Sequence, residues 1–262
     1  MHDQTVRFKD VGIYYMLYEN KNKETLVLLH PYTSSISVFD NQIIALKKDY
    51  QLLLIDLPGH GRSGVSRNVS IKDMPEIIKV ILDLHSIEDA HFLGIEIGSL
   101  VAQAFGQVYP EKIKSLISIG GFSIFHDSFK AINNELLKTK FLRAFKWALL
   151  FNAYKVYYSN NACIKDDAKK KFELSQKNFK RKGLLSKRGI SRFYKLGKQK
   201  KAYPVYVICG EYELEVIKDA CIQFEQKVPK ALLEGFQRAK TVVHLDQQRL
   251  FSERVITFLK TL

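Results

Sequence analysis

Short apolar runs recur along the chain at Thr25–Leu29, Gln51–Ile55, His91–Leu93, Leu116–Ile119, Val205–Ile208 and Thr241–Val243, and each is bounded by polar or turn-forming residues. They are apolar at nearly every position rather than at every second one, so they predict strands covered on both faces. Between them the apolar spacing changes to three and four residues, predicting helices over Met74–His85, Gly98–Val108 and Gln247–Leu259. Strands alternating with helices imply an α/β fold with a mostly parallel central sheet and helices on both faces. The opening segments Thr5–Phe8 and Ile13–Leu17, joined around Asp10-Val11-Gly12, predict an antiparallel hairpin at the sheet edge. Residues 122–202 contain no run of strand character, and within them Arg143–Tyr158 has the spacing of a helix with a broad apolar face.

Charge sharpens this division. Residues 122–202 carry 21 Lys and Arg against 5 Asp and Glu, net +16, whereas the rest of the chain carries 20 against 22, net −2. The net charge of +14 therefore belongs to one segment. Aromatic residues, among them Phe141, Phe145, Trp147, Phe151, Tyr154 and Tyr158, are interleaved with the clusters Lys169–Lys171, Lys180–Lys182 and Lys198–Lys201. A solvated basic face and a face that attracts an acidic partner or anionic surface are both open on this pattern. No nucleic-acid fold signature accompanies the charge, so a nucleic-acid partner is not expected.

A chain of 262 residues, 46% hydrophobic, can bury one substantial core. The N-terminus lacks a basic-then-apolar leader and no apolar run approaches the roughly 18 residues of a membrane span, so the expected location is cytoplasmic. Cys163, Cys209 and Cys221 lack metal-ligand spacing; no metal and no cofactor are expected.

The chemistry-bearing motifs follow the strands. His91-Phe92-Leu93-Gly94-Ile95-Glu96-Ile97-Gly98-Ser99 has the G-x-S-x-G layout of a strand-to-helix nucleophile elbow with Glu96 at the serine position. Leu26–Tyr32 has an apolar run ending in His30-Pro31, Asp56–Ser63 reads D-L-P-G-H-G-R-S, and Val205–Glu213 ends in Gly210-Glu211-Tyr212-Glu213. His244 follows Val242-Val243 and precedes the last predicted helix.

In this order the motifs resemble the α/β-hydrolase fold family, over almost the whole chain except its middle. The resemblance implies a core of residues 1–121 and 203–262, with residues 122–202 as a helical lid inserted after the sixth strand. It implies catalytic roles for Glu96, His244 and Glu213, and an oxyanion hole formed by the backbone N–H groups of Tyr32 and Ile97; Pro31 stands where the family usually has glycine. His30, His60 and His85 fit loop or helix positions outside this set.

A carboxylate at the elbow changes the available chemistry. In relatives with aspartate there, the carboxylate attacks carbon and a histidine activates water to cleave the ester. Glutamate carries its oxygen roughly one bond length further, and a misplacement on the order of 1 Å can cost about 100-fold. Two glutamates beside an imidazole would favour its protonation or raise one carboxyl, permitting general acid or base roles. Alternatively, the carboxylate is stabilised at the helix N-terminus by about 0.3–1 kcal/mol and folds into the oxyanion hole. The resemblance therefore implies a hydrolase acting on a small or acyl-bearing substrate through a Glu-His-Glu site; the alternative is a catalytically inactive homologue binding a small ligand or acidic partner.

Overall fold

The computed structural model describes residues 2–20, 22–121, 123–124, 149–195 and 201–262. Its centre is an eight-stranded sheet: β1 (His2–Phe8), β2 (Val11–Tyr18), β3 (Thr25–Leu29), β4 (Gln51–Ile55), β5 (Ala90–Ile95), β6 (Ile113–Ile119), β7 (Val205–Gly210) and β8 (Ala231–Phe236). The spatial order is β1-β2-β4-β3-β5-β6-β7-β8. The β1–β2 hairpin forms one edge and joins β4 antiparallel, while β4 through β8 pair in parallel. Strands β3 and β5 are buried at every position, as the unbroken apolar run of β3 requires.

Helices cover both faces. α1 (Asp40–Leu46) packs with α7 (Gln248–Lys260) on one side; α2 (Met74–Leu84), α3 (Ile97–Val108) and α6 (Glu215–Lys227) cover the other. Between β6 and β7 the described part of the chain forms α4 (Phe151–Ala162), α5 (Asp166–Ser175) and two 3-10 segments, Arg181–Lys187 and Ile190–Lys195. The predicted Arg143–Tyr158 helix is met only in its second half, because 143–148 lie outside the described residues, as do Phe141 and Lys198–Lys200. No helix among the described residues is long and apolar enough to cross a membrane.

Two sequence expectations need correction. Thr241–Val243 is not a strand: Val243 begins a one-turn helix, Val243–Asp246, whose Asp246 carboxylate accepts the N–H groups of Ile164, Lys165 and Lys240. The eighth strand is instead Ala231–Phe236. It is the sheet edge, paired on one side only, and Leu232 is 59% exposed, so it carries no continuous apolar signal.

Candidate functional site

Glu96 caps α3 in a left-handed conformation, φ 51° and ψ −112°, at the carboxyl end of β5. A side chain in this region stores of order 1–3 kcal/mol of strain, sustained here by the packing of the turn. The glycines on either side permit it. A Cβ on Gly94 would lie 2.5 Å from the carbonyl carbon of Gly98, and one on Gly98 would lie 2.2 Å from the carbonyl oxygen of Leu29. Helix α3 therefore starts in direct contact with β3, and the residue at the elbow is lifted above the strand ends.

The Glu96 carboxylate is held at both oxygens. Its Oε2 accepts the backbone N–H of Tyr32 at 3.2 Å, and its Oε1 accepts the hydroxyl of Tyr158, from α4, at 2.8 Å. One expected oxyanion donor is thus given to the elbow residue itself. Ile97, the other expected donor, is the buried first residue of α3. The hydroxyl of Tyr158 is driven to a raised pKa by burial and by the Glu96 charge, so it remains a donor.

Glu213 follows β7 and is half-buried. Its Oε2 accepts the Thr241 hydroxyl at 2.5 Å and its Oε1 accepts the Leu214 N–H at 3.1 Å. Burial raises the Glu213 carboxyl and the Glu96 charge raises it further, opposed by these two hydrogen bonds. The two glutamates therefore sense one another across the end of the sheet.

His244 is not brought to either of them. It is fully buried on the other face of the sheet, where its ring packs against Phe39 and Phe251 at 5.4 and 5.9 Å between centroids. Its Nε2–H donates to the Val38 carbonyl at 3.2 Å, and Nδ1 has no partner among the described residues. The physical reason is the helical turn at Val243: it rotates His244 inward between the 3-10 segment Ile36–Phe39 and α7, and leaves Thr241 beside the acid.

Sequence reasoning missed three contributors. Thr241 was hidden within the supposed strand, Tyr158 was one aromatic among many, and His60 looked like an ordinary loop residue. His60 is fully buried, its ring lying 5.3 Å from Tyr32 and 4.9 Å from Phe179. No local pattern distinguishes any of the three, because each acquires its surroundings only through contacts with distant segments.

The buried histidines predict an acid response. An unfolded imidazole titrates near 6.5. In the fold, burial pushes His244 down to about 3 and His30 to about 4, and holds His60 well below its ordinary value. Below pH 6.5 the unfolded chain therefore binds protons that the fold excludes, so stability is full above about pH 7 and falls with acidification. Asp56, raised by burial to about 6, acts in the opposite direction by taking a proton in the fold first. With one of these histidines offset, the net loss from pH 7 to 5 is on the order of 3 kcal/mol. Urea titrations at both values check it; an unchanged midpoint would contradict the assignment.

The comparisons with known proteins agree with this architecture. A family model described as alpha/beta hydrolase fold matches residues 24–143, and the chain has the α/β-hydrolase fold. Among solved structures, a hydrolase from Pseudomonas aeruginosa PA01 superposes with a TM-score of 0.82 at 18% identity, covering 98% of both chains. An esterase from Exiguobacterium antarcticum superposes with a TM-score of 0.81 at 15% identity, covering 99% of this chain and all of the other.

Similarity in sequence is confined to part of the chain. The pimeloyl-[acyl-carrier protein] methyl ester esterase of Yersinia enterocolitica is 33% identical over 114 residues, 43% of either chain. The 3-oxoadipate enol-lactonase 1 of Acinetobacter baylyi is 34% identical over 86 residues, 33% of this chain and 32% of the relative. The chain thus spans less than half the length of the curated relatives it matches.

Proposed function

We propose that this protein is a small-molecule-binding homologue of ester hydrolases, in which the elbow site holds a ligand without cleaving it. The observation that carries this reading is the Glu96 carboxylate bonded to the Tyr32 N–H. In acyl transfer that donor would be aimed at the carbonyl oxygen of the substrate, which gains negative charge in the transition state. A carboxylate in that position occupies the donor and repels the developing charge. The side-chain partner of Glu213 is the hydroxyl of Thr241, and a neutral alcohol cannot serve as the base that an imidazole would provide. The described residues 149–195 between β6 and β7 are the cover of this site, with Tyr158 reaching the elbow from them.

The second reading is a hydrolase acting on a small or acyl-bearing substrate. The raised carboxyl of Glu213 in electrostatic reach of Glu96 favours it, since such a pair can divide acid and base roles. The similarity to a methyl ester esterase and an enol-lactonase points the same way. On the proposed reading, the protein is expected to leave a panel of methyl esters, thioesters and lactones at background rates, with Glu96→Gln indistinguishable. Turnover by the unmodified protein that disappears in Glu96→Gln would establish the hydrolase instead.

A further inference from the structure

Two of the three cysteines share a cavity that the elbow does not use. Cys209 stands near the end of β7 and Cys221 in the middle of α6, the helix that follows that strand. Both line a cavity of about 400 Å³ whose other walls include the exposed residues Glu211, Ile222, Gly235 and Gln237. Cys209 is 7% exposed, whereas Cys221 and Cys163 are fully enclosed. One thiol of the pair is therefore reachable from solvent, and the other lies behind it.

All three cysteines are free thiols. The Cys221 S–H has two acceptors in reach, the Cys209 sulfur and the Gly121 carbonyl at 3.4 Å. The hydrogen bond to Cys209, burial, and the Cys209 and Glu213 charges hold Cys221 well above the ordinary thiol range, so it stays protonated. Cys209 is placed differently. It receives the Cys221 S–H, and the Lys218 ammonium, which pairs with Glu215 at 2.8 Å and also lines the cavity, is in electrostatic reach of its sulfur. Glu211, on the same cavity wall, is the opposing charge. A hydrogen-bond donor and a cation at one sulfur favour its thiolate, the form that attacks electrophiles. A neutral S–H beside that thiolate is placed to resolve the product of the attack.

We propose that Cys209 and Cys221 form a reactive dithiol, in which Cys209 attacks a small hydroperoxide entering the cavity and Cys221 converts the product into an intramolecular disulfide. The Cys209 thiolate attacks one peroxide oxygen and the O–O bond breaks. Cys209 becomes a sulfenic acid, and the other oxygen takes up a proton and leaves as an alcohol, or as water from hydrogen peroxide. The Cys221 sulfur then displaces the sulfenic hydroxyl, which leaves as water with the Cys221 proton. The two thiols lose two electrons and the peroxide gains them. Cys163 is the internal control: burial, and next the Asp246 charge, hold its thiol above the ordinary range, and it does not line this cavity. The dithiol chemistry is independent of what the elbow site does with its ligand.

Treatment of the native protein with a small molar excess of hydrogen peroxide, followed by alkylation, intact-mass measurement and peptide mapping, tests the assignment. The expected product is two hydrogen atoms lighter, joins the peptides holding Cys209 and Cys221, and reverts with dithiothreitol. Cys209 is expected to oxidise at least about tenfold faster than Cys163. Cys221→Ser permits attack without resolution, so Cys209 is expected to accumulate as a sulfenic acid that dimedone captures. Cys209→Ser is expected to leave Cys221 unoxidised. Four results would each overturn the proposal: no oxidation of the unmodified protein, oxidation of Cys163 as fast as Cys209, a Cys209 sulfinic acid formed while Cys221 stays free, or oxidation of Cys221 in Cys209→Ser. The first three are read on the unmodified protein and stand even if neither variant folds.

Discussion

Glu96→Ser combined with Thr241→His is expected to hydrolyse p-nitrophenyl acetate at least about 100-fold faster than Glu96→Ser alone, the range attributed to a positioned general base. The single change restores a hydroxyl at the elbow and releases the Tyr32 N–H from the Glu96 carboxylate. It supplies no base, since His244 is buried against Phe39 and Phe251 with Nε2 committed to the Val38 carbonyl. The second change puts an imidazole where Thr241 now meets the Glu213 carboxylate at 2.5 Å, so that the acid can orient it. Steady-state rates of the two variants, and of Thr241→His alone, decide the matter. Comparable activity in Glu96→Ser alone would mean that another group already serves as base and that the assignment of position 241 is mistaken.

The second large effect concerns the fold beneath the site. Gly98→Ala is expected to cost more than about 4 kcal/mol, a large share of the roughly 5–15 kcal/mol that keeps an ordinary domain folded. Its Cβ would meet the Leu29 carbonyl oxygen at 2.2 Å, the Leu29 carbonyl carbon at 2.7 Å and the His30 carbonyl oxygen at 3.0 Å. All three are backbone atoms at the end of a central strand, where no rotamer change can make room. Gly235→Ala in edge strand β8 is the control: nothing lies within 4 Å of its Cβ, and the change is expected to stay within about 1 kcal/mol of neutral. Denaturant midpoints of the two variants measure the difference. A mild Gly98→Ala would show that α3 can draw back from β3, and the close approach at the elbow would lose its meaning.

What could be read from the residues alone follows burial. Strands β3 and β4 match their predicted limits, Thr25–Leu29 and Gln51–Ile55, because a strand buried on both faces is apolar throughout and leaves little choice of boundary. The elbow was legible for a related reason: Gly94 and Gly98 are required by backbone contact, and that requirement is written at fixed spacing around Glu96. Edge strand β8 was not, since its Leu232 faces solvent and Glu234 and Gly235 interrupt the run. Position 241 failed differently. Thr241, Val242 and Val243 are β-branched and favour extended structure locally, but the Asp246 carboxylate gathers three N–H groups and Val242 and Val243 are buried, which together stabilise a turn. Once that turn is in place, the only histidine near the end of the chain faces inward, and the residue beside Glu213 is one whose identity announces no chemistry.

The hydrogen bond from Tyr158 to Glu96 has a thermodynamic consequence. It is the point at which the segment between β6 and β7 grips the elbow, so any guest that takes the carboxylate for itself competes with that grip. Occupancy and the seating of helix α4 are then reciprocal quantities: whatever free energy a guest withdraws from the tyrosine contact, a firmer contact withdraws from the guest. Removing only the hydroxyl, as Tyr158→Phe does, would uncouple the two while leaving the ring in its place.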